Sequence, residues 1–227
     1  MSDDKKTFWT ETLPDPLPRN PLEVAARWLE RAIADASQPN PNAIVLASVD
    51  ARGQPSARVV LCKGIETAAG CILFYTNYRS RKGAELKRNP RAAAVFHWDH
   101  VHRQVRIEGQ VEEMSDAEND AYFHSRAWQS RLGAWASQQS EPLASRDELT
   151  AAVAAQAKRF GIAYDGPGSP EPDHVTVEVP RPPNWGGFRL RAEAVELWVE
   201  GEFRIHDRAR WTRSLPAGAW SATRLQP

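Results

Sequence analysis

From residue 104 to 113 the chain alternates with period two: Val105, Ile107, Gly109 and Val111 on one parity, Gln104, Arg106, Glu108, Gln110 and Glu112 on the other. Successive strand residues face opposite sides of a sheet, so this segment reads as a half-buried strand of the kind an antiparallel barrel uses. Residues 43–50, 57–63, 71–77 and 92–98 continue the pattern, the first ending in the turn Asp50-Ala51-Arg52-Gly53. Strands and helices do not alternate as βαβαβ, so nothing supports a doubly wound sheet, and the pattern suits a mostly β antiparallel barrel with flanking helices.

The helices carry local start signals. Asn20-Pro21 followed by Glu23 combines a cap, a proline at the first helical position and a capping-box partner. Leu22, Ala25, Ala26, Leu29 and Ile33 then form an apolar stripe. Ser80 can cap a helix running to about Lys87, which Asn89-Pro90 ends. Ser115 with Glu118 opens a helix around 116–123, another is expected over 127–136, and Ser145 with Glu148 opens one whose Leu149, Ala152, Val153, Gln156 and Phe160 make its inner face.

Residues 1–19 read as a flexible arm and 20–227 as one domain. The stretch 161–184 is rich in proline and glycine and reads as a long loop, with at most an extended piece at Val175 to Val179. Beyond it, strand-like pieces at 187–191, 194–200, 208–214 and 220–225 are too few for a second core and are expected to complete the first sheet.

The 29 Lys and Arg balance the 29 Asp and Glu, which argues against a nucleic-acid-coating protein. No stretch reaches the length of a membrane span, the N-terminus has no signal-peptide core, and Cys62 and Cys71 form no disulfide framework. These features point to a cytoplasmic protein. Nine Trp supply large flat surfaces for a core, a planar ligand or a subunit contact, and composition does not choose among them.

Charge is unevenly placed. Arg79, Arg81, Lys82, Lys87, Arg88, Arg91, Arg103 and Arg106 face only Glu85 and Asp99 between residues 78 and 106. Ser80-Arg81-Lys82 brings a hydroxyl, two cations and helix-start N–H groups together, which suits a phosphate and equally describes a solvated helix start. Arg58 and Lys63 lie on the preceding hairpin but on opposite strand parities, unless a bulge re-aims one of them.

A second cationic cluster comprises Tyr122, His124, Ser125, Arg126, Ser130 and Arg131; Tyr122, Arg126 and Ser130 share one helical face if the helix persists, and the cluster either binds an anion or forms salt bridges. Arg204, His206 and Arg208 alternate, so an extended segment would project all three to one side, over an anion or electron-rich ring or along a solvated edge. His97, His100 and His102 lack metal-site spacing and read as surface or turn residues, and no metal is expected. Trp185-Gly186-Gly187 lacks the dinucleotide spacing and reads as a site of tight chain packing. Two anion sites with neither nucleophile nor metal suggest a phosphorylated cofactor facing a phosphorylated substrate.

Taken in order, Arg58-Val-Val-Leu-Cys-Lys63, Phe74-Tyr-Thr-Asn77, Ser80-Arg-Lys82, Arg103-Gln-Val105, Tyr122-Phe-His-Ser-Arg126, Gln139-Ser140, Trp185-Gly-Gly187 and Arg204-Ile-His-Asp-Arg208 resemble the pyridoxine/pyridoxamine 5'-phosphate oxidases, flavoenzymes with an FMN-binding split β-barrel. The resemblance implies an FMN site formed by Arg58, Val59, Val60, Leu61, Cys62, Lys63, Tyr75, Thr76, Ser80, Arg81, Lys82, Gln104, Gln139, Ser140, Trp198 and Arg208, shared across a homodimer. It implies that Lys63, Tyr122, Arg126 and Ser130 hold the phosphate of a small pyridine substrate, and that Arg204 and His206 are the catalytic pair over its ring.

The implied reaction oxidises pyridoxine or pyridoxamine 5'-phosphate with molecular oxygen. A related FMN oxidase acting on a phenazine precursor and a flavin-binding module without oxidase activity are the alternatives. Two departures stand out. The arm has Arg19, Phe8 and Trp9 but no Arg-x-x-Tyr element, and Ala127-Trp128 replaces a common proline.

Overall fold

The computed structural model describes residues 12–166, 169, 178–215 and 218–227. Most of the expected arm, residues 1–11, and the first part of the expected piece at Val175 to Val179 lie outside the described residues. The elements in chain order are α1 (Pro21–Asp35), β1 (Ala43–Val49), β2 (Pro55–Glu66), β3 (Cys71–Asn77), α2 (Arg81–Arg88), β4 (Arg91–Trp98), β5 (Arg103–Glu113), α3 (Asp116–His124), α4 (Trp128–Ala136), α5 (Arg146–Arg159), β6 (Trp185–Val199), β7 (Asp207–Thr212) and β8 (Ser221–Leu225).

The strands lie in the order β3-β2-β1-β4-β5-β6-β7-β8, and a further pairing of β3 with β6 closes a six-stranded antiparallel barrel. Because β1 pairs with both β2 and β4, the order β4-β1-β2-β3 is a Greek key, in keeping with the Greek-key-like split barrel that the family resemblance implies. The alternation along β5 is observed directly: Val105, Ile107 and Val111 are buried and Gln104, Arg106 and Glu108 are not. The two pieces expected at 187–191 and 194–200 are one strand, because β6 runs unbroken through Ala192 and Glu193.

The chain divides into two compact units. The first holds the described residues up to Phe74, then Glu85–Glu112 and Phe188–Pro227. The second holds Tyr75–Ala84 and Glu113–Gly187. In the first, Ile44, Leu46, Phe74, Phe96, Trp98, Ile107, Leu197 and Trp211 are all almost fully buried. Each such side chain contributes roughly 1.5–3 kcal/mol of hydrophobic stabilisation. Trp98 and Trp211 also place their indole N–H groups on the carbonyls of Pro41 and Pro18, both at 2.8 Å, so these tryptophans serve the core.

Asn20 caps α1 by accepting from the Leu22 N–H at 3.1 Å. Its buried face is turned from the expected stripe: Val24, Trp28 and Ala32 join Leu22, Ala25 and Leu29, whereas Ile33 is 53% exposed. The bulk of Trp28 sets this face.

In the second unit, α4 and α5 pack Trp128, Leu132 and Ala157 with Ile162 and Val179, flanked by Trp135, Val153, Phe160 and Tyr164. Along α5 the expected face holds for Ala152, Val153, Gln156 and Phe160, which are partly buried beside the buried Ala157, and fails only at Leu149, which is exposed. Ser115 and Ser145 both cap their helices as expected, accepting from the N–H groups of Glu118 and Glu148. Among the described residues no helix is long and apolar enough to cross a membrane.

Candidate active site

In the second unit, β3 ends and α2 begins around a buried polar cluster. Lys82 is buried, and its Nζ donates to Thr76 Oγ1 at 3.0 Å, Ser80 Oγ at 3.3 Å and Gln139 Oε1 at 3.0 Å. Thr76 donates to the same Gln139 oxygen at 3.0 Å. Ser80 caps α2, accepting from the Gly83 N–H at 3.3 Å while donating to Asn77 O. Arg81 occupies the exposed first position of α2, and Ser140 is exposed with a left-handed backbone. Thr76, Ser80 and Lys82 are thus joined to Gln139 from a distant part of the chain in one buried network of hydroxyls, amide oxygen and cation, while Tyr75 lies against the Tyr122 and Trp185 rings.

Tyr122, Arg126 and Ser130 do not lie on one continuous helix. Helix α3 ends at His124 and α4 begins at Trp128, so the even spacing carries no shared face. The break falls at Ala127, whose extended ψ of 140° ends the helical path. Tyr122 instead stacks on Tyr75, centroid to centroid 3.9 Å, and Ser130 is exposed in the first turn of α4.

The Arg126 guanidinium lies 4.6 Å from the Trp185 ring and 5.3 Å from that of Phe123. Its Nη1 is buried without a hydrogen-bond partner, and burial pushes its pKa down. The Gly186-Gly187 pair packs tightly, as read from the sequence. A Cβ on Gly187 would sit 2.5 Å from Met114 Sδ and 2.7 Å from Tyr75, a distance that no side chain tolerates without movement.

In the first unit, Arg58 is held by a carboxylate. Its Nη2 reaches Glu85 Oε2 at 3.1 Å, and Glu85 also accepts from Ser48 Oγ at 2.5 Å and Ser56 Oγ at 2.8 Å. Along β2 the parity argument holds: Arg58 and Val60 are half-buried and Cys62 is buried, whereas Val59, Leu61 and Lys63 are exposed. The register to β3 shifts between Cys62 and Gly64, which makes Lys63 the bulged residue. Gln104 is half-buried on β5 opposite His97. Cys62 and Cys71 are free and buried.

The expectation of one extended segment carrying Arg204, His206 and Arg208 fails. Glu202–Arg204 is a turn with Phe203 and Arg204 in the left-handed region, at φ 54° and 66°, and only Arg208 lies in β7. A Cβ on Gly201 would sit 1.8 Å from Ile205 O, so the turn closes against bare backbone. The Gly201 N–H donates to His206 Nδ1 at 3.2 Å, and the His206 ring rests 4.6 Å from that of Trp198. With Nδ1 accepting, a neutral His206 carries its proton on Nε2. Arg208 is paired with buried Glu196 across the strand, Nη2 to Oε1 at 2.8 Å, so its charge is compensated from a neighbour that the alternation argument did not consider.

Sequence reading missed Glu85, Glu196, Asn119 and the clamp of Arg181 on Asp116 and Asp120 at 2.7 and 2.6 Å. Asn119 is buried, accepts from the Gly187 N–H and donates to the Tyr78 hydroxyl. Glu85 had a signal, as one of two acids in a cationic segment; the others lie far in sequence from the groups they hold.

The family model described as pyridoxamine 5'-phosphate oxidase matches residues 29–159, and that of the pyridoxine 5'-phosphate oxidase C-terminal dimerisation region matches 185–227. Curated relatives include the pyridoxine/pyridoxamine 5'-phosphate oxidase of Rhizobium etli, 46% identical over 91% of this chain and 92% of its own. That of Cereibacter sphaeroides is 47% identical over 92% and 95%. Among solved structures, PhzG from Burkholderia lata, in complex with tetrahydrophenazine-1-carboxylic acid, superposes with a TM-score of 0.79 at 30% identity, covering 94% of this chain and 95% of that one. A pyridoxamine 5'-phosphate oxidase-related, FMN-binding protein of Nostoc punctiforme shares the fold, with a TM-score of 0.65 at 18% identity over 90% and 96%. On sequence and on fold together, the chain belongs to the pyridoxamine 5'-phosphate oxidase family.

Proposed function

We propose that this protein oxidises pyridoxine 5'-phosphate or pyridoxamine 5'-phosphate to pyridoxal 5'-phosphate, using FMN and molecular oxygen. The observation that carries the reading is Arg126, a half-buried cation that no carboxylate among the described residues pairs with, its Nη1 awaiting an acceptor. Buried polar groups are nearly always satisfied, so a guanidinium N–H that meets aromatic faces and no acceptor among the described residues is compatible with an external acceptor such as a phosphate. Family membership and the names of relatives at 46–47% identity support the same substrate.

The residues present fit FMN. Thr76, Ser80 and Lys82 lie beside Arg81, and their hydroxyls and cation are the kind of group a phosphate ester takes once it replaces Gln139 and the other present acceptors. In this reading those residues, with Tyr75, Gln139 and Ser140, hold one part of the cofactor. Arg58, the β2 backbone from Val59 through Lys63, Gln104, Trp198 and Arg208 hold the rest, some of them across a homodimer. The dimerisation region matched at 185–227 supports that assembly.

FMN held by these residues would supply the two-electron redox chemistry that couples oxidation at C4' of the substrate to reduction of molecular oxygen to hydrogen peroxide. The chain's own part is placement. Lys63, Tyr122, Arg126 and Ser130 anchor the substrate phosphate, and Arg204 with the Nε2–H of His206 orients the ring, since proximity alone can supply much of such a rate. The amine substrate yields an imine that water converts to the aldehyde and ammonia; the alcohol gives the aldehyde directly.

The test is anaerobic mixing of FMN-loaded protein with pyridoxine 5'-phosphate. Bleaching of the flavin spectrum is expected, and an oxidised spectrum that persists at saturating substrate refutes the proposal. The likeness to PhzG favours a second reading, oxidation of a phenazine precursor, and such a compound run in the same assay separates the two. Light scattering is expected to give twice the 25.4 kDa chain mass.

A further inference from the structure

We propose that Trp185 is a positioning residue for Arg126: its ring face holds the guanidinium, so that the positive charge stays available to the phosphate of the substrate. The inference rests on the phosphate role given to Arg126 above and assigns the group that aims it.

Two ways of fixing an arginine occur side by side in this unit. Arg181 is gripped by the carboxylates of Asp116 and Asp120, which neutralise it. Among the described residues Arg126 pairs with no carboxylate and lies against aromatic faces, and Phe123 and Trp185 meet at 68° with centroids 5.0 Å apart, forming a two-walled notch. A ring attracts a cation through its quadrupole and leaves the net charge in place, whereas a carboxylate would have to be displaced before a phosphate could bind. Holding a guanidinium this way leaves Nη1 buried and unsatisfied, an arrangement that is costly until an acceptor arrives.

The plate itself is immobilised. The Trp185 N–H donates to Pro182 O at 3.0 Å, and its carbonyl accepts from Arg181 Nη1 at 2.9 Å. Its ring stacks on Tyr75 at 5.3 Å and 12°. Arg126 follows the end of α3, its N–H bonded to Phe123 O at 3.2 Å, so the backbone and Trp185 together set where the fork points. The clamp made by Arg181 thereby acts on Arg126 through Trp185.

The experiment compares equilibrium binding of pyridoxal 5'-phosphate and of pyridoxal, which lacks the phosphate, to FMN-loaded wild type, Trp185→Leu and Trp185→Phe. Wild type is expected to prefer the phosphorylated ligand. Trp185→Leu is expected to weaken pyridoxal 5'-phosphate binding about tenfold and leave pyridoxal unchanged, and Trp185→Phe, which keeps a weaker ring, about two- to threefold. In turnover, KM for the phosphorylated substrate should rise while kcat holds. Adding Arg126→Lys to either variant should cause less than the product of the two single losses.

Equal weakening of both ligands, or strictly multiplicative losses, overturns the role of Trp185, and a Trp185→Leu protein that does not fold leaves the same criteria to Trp185→Phe. A wild type that binds both ligands alike overturns the phosphate site and this inference with it. A wild type that discriminates while both variants discriminate equally well overturns the inference alone.

Discussion

Replacing Glu85 by alanine should destabilise this protein more than the loss of most single surface charges would. The Glu85 side chain is 5% exposed and Arg58 is 20% exposed, with Nη2 and Oε2 3.1 Å apart. The same carboxylate accepts the hydroxyls of Ser48 and Ser56, so its removal takes the counter-charge from Arg58, which keeps hydrogen bonds to Leu46 O, Ser48 Oγ and Ser56 Oγ, and the acceptor from two hydroxyls at once. Breaking a buried pair by deleting one partner costs about 3–5 kcal/mol; the partial exposure of Arg58 and the freedom of the hydroxyls to turn bring that down to about 3 kcal/mol. For a chain of this size about 3 kcal/mol corresponds to a fall in Tm of roughly 6–12 °C.

Thermal unfolding followed by circular dichroism, at matched FMN loading, reads the effect. Glu85→Gln, which keeps an acceptor oxygen, should lose less than Glu85→Ala. The double change Arg58→Met with Glu85→Leu should recover most of the stability, because no charge is then left without its partner. A fall below about 2 °C for Glu85→Ala would refute the reasoning, as would a double variant no more stable than the single one.

Arg204→Ala and His206→Ala are expected to lower turnover while retaining FMN, and Arg81→Ala and Lys82→Ala to weaken FMN retention; flavin absorbance after gel filtration separates the pairs, and equal retention in all four contradicts the assignment. The hydrogen bonds from Arg210 hold the Glu108 carboxyl below the ordinary glutamate range, with Nη2 at 2.8 Å and Nη1 at 3.2 Å from its two oxygens. A carboxylate lowered in the folded state stabilises above its unfolded pKa, and the contribution disappears as pH falls through the folded value. Arg210→Met should therefore raise the Glu108 titration midpoint followed by NMR and flatten that part of the acid dependence; an unchanged midpoint defeats the pairing. Burial pushes the Cys62 thiol up to about 11 and that of Cys71 up to about 12, so neither should alkylate with iodoacetamide at pH 8 in the folded protein, and both should in urea. Rapid labelling of either in the native state would contradict their burial.

Local physics made much of the fold legible. A strand's parity and a helix cap involve residues a few positions apart, so Asn20 before Pro21, the capping box of Ser115 with Glu118 and the alternation of β5 could be read without any tertiary knowledge. The free, buried state of Cys62 and Cys71 and the tight packing at Gly186-Gly187 follow the same logic. The dispersed motifs pointed to the family because their order along the chain is itself sequence information.

Whatever depended on a partner distant in sequence was decided only by the tertiary structure. Periodicity offers two or three neighbouring faces for α1, and tertiary packing chose the one that buries Val24, Trp28 and Ala32 and leaves Ile33 exposed. The regular spacing of Tyr122, Arg126 and Ser130 meant nothing once the helix broke before Trp128, and the alternation of Arg204, His206 and Arg208 failed because the turn at Phe203 left extended backbone. A charge in a sequence also does not reveal what compensates it. Glu85 claims Arg58 and Glu196 claims Arg208, while Arg126 is left to two aromatic rings, and that difference exists only where strands and helices bring those side chains within a few ångströms.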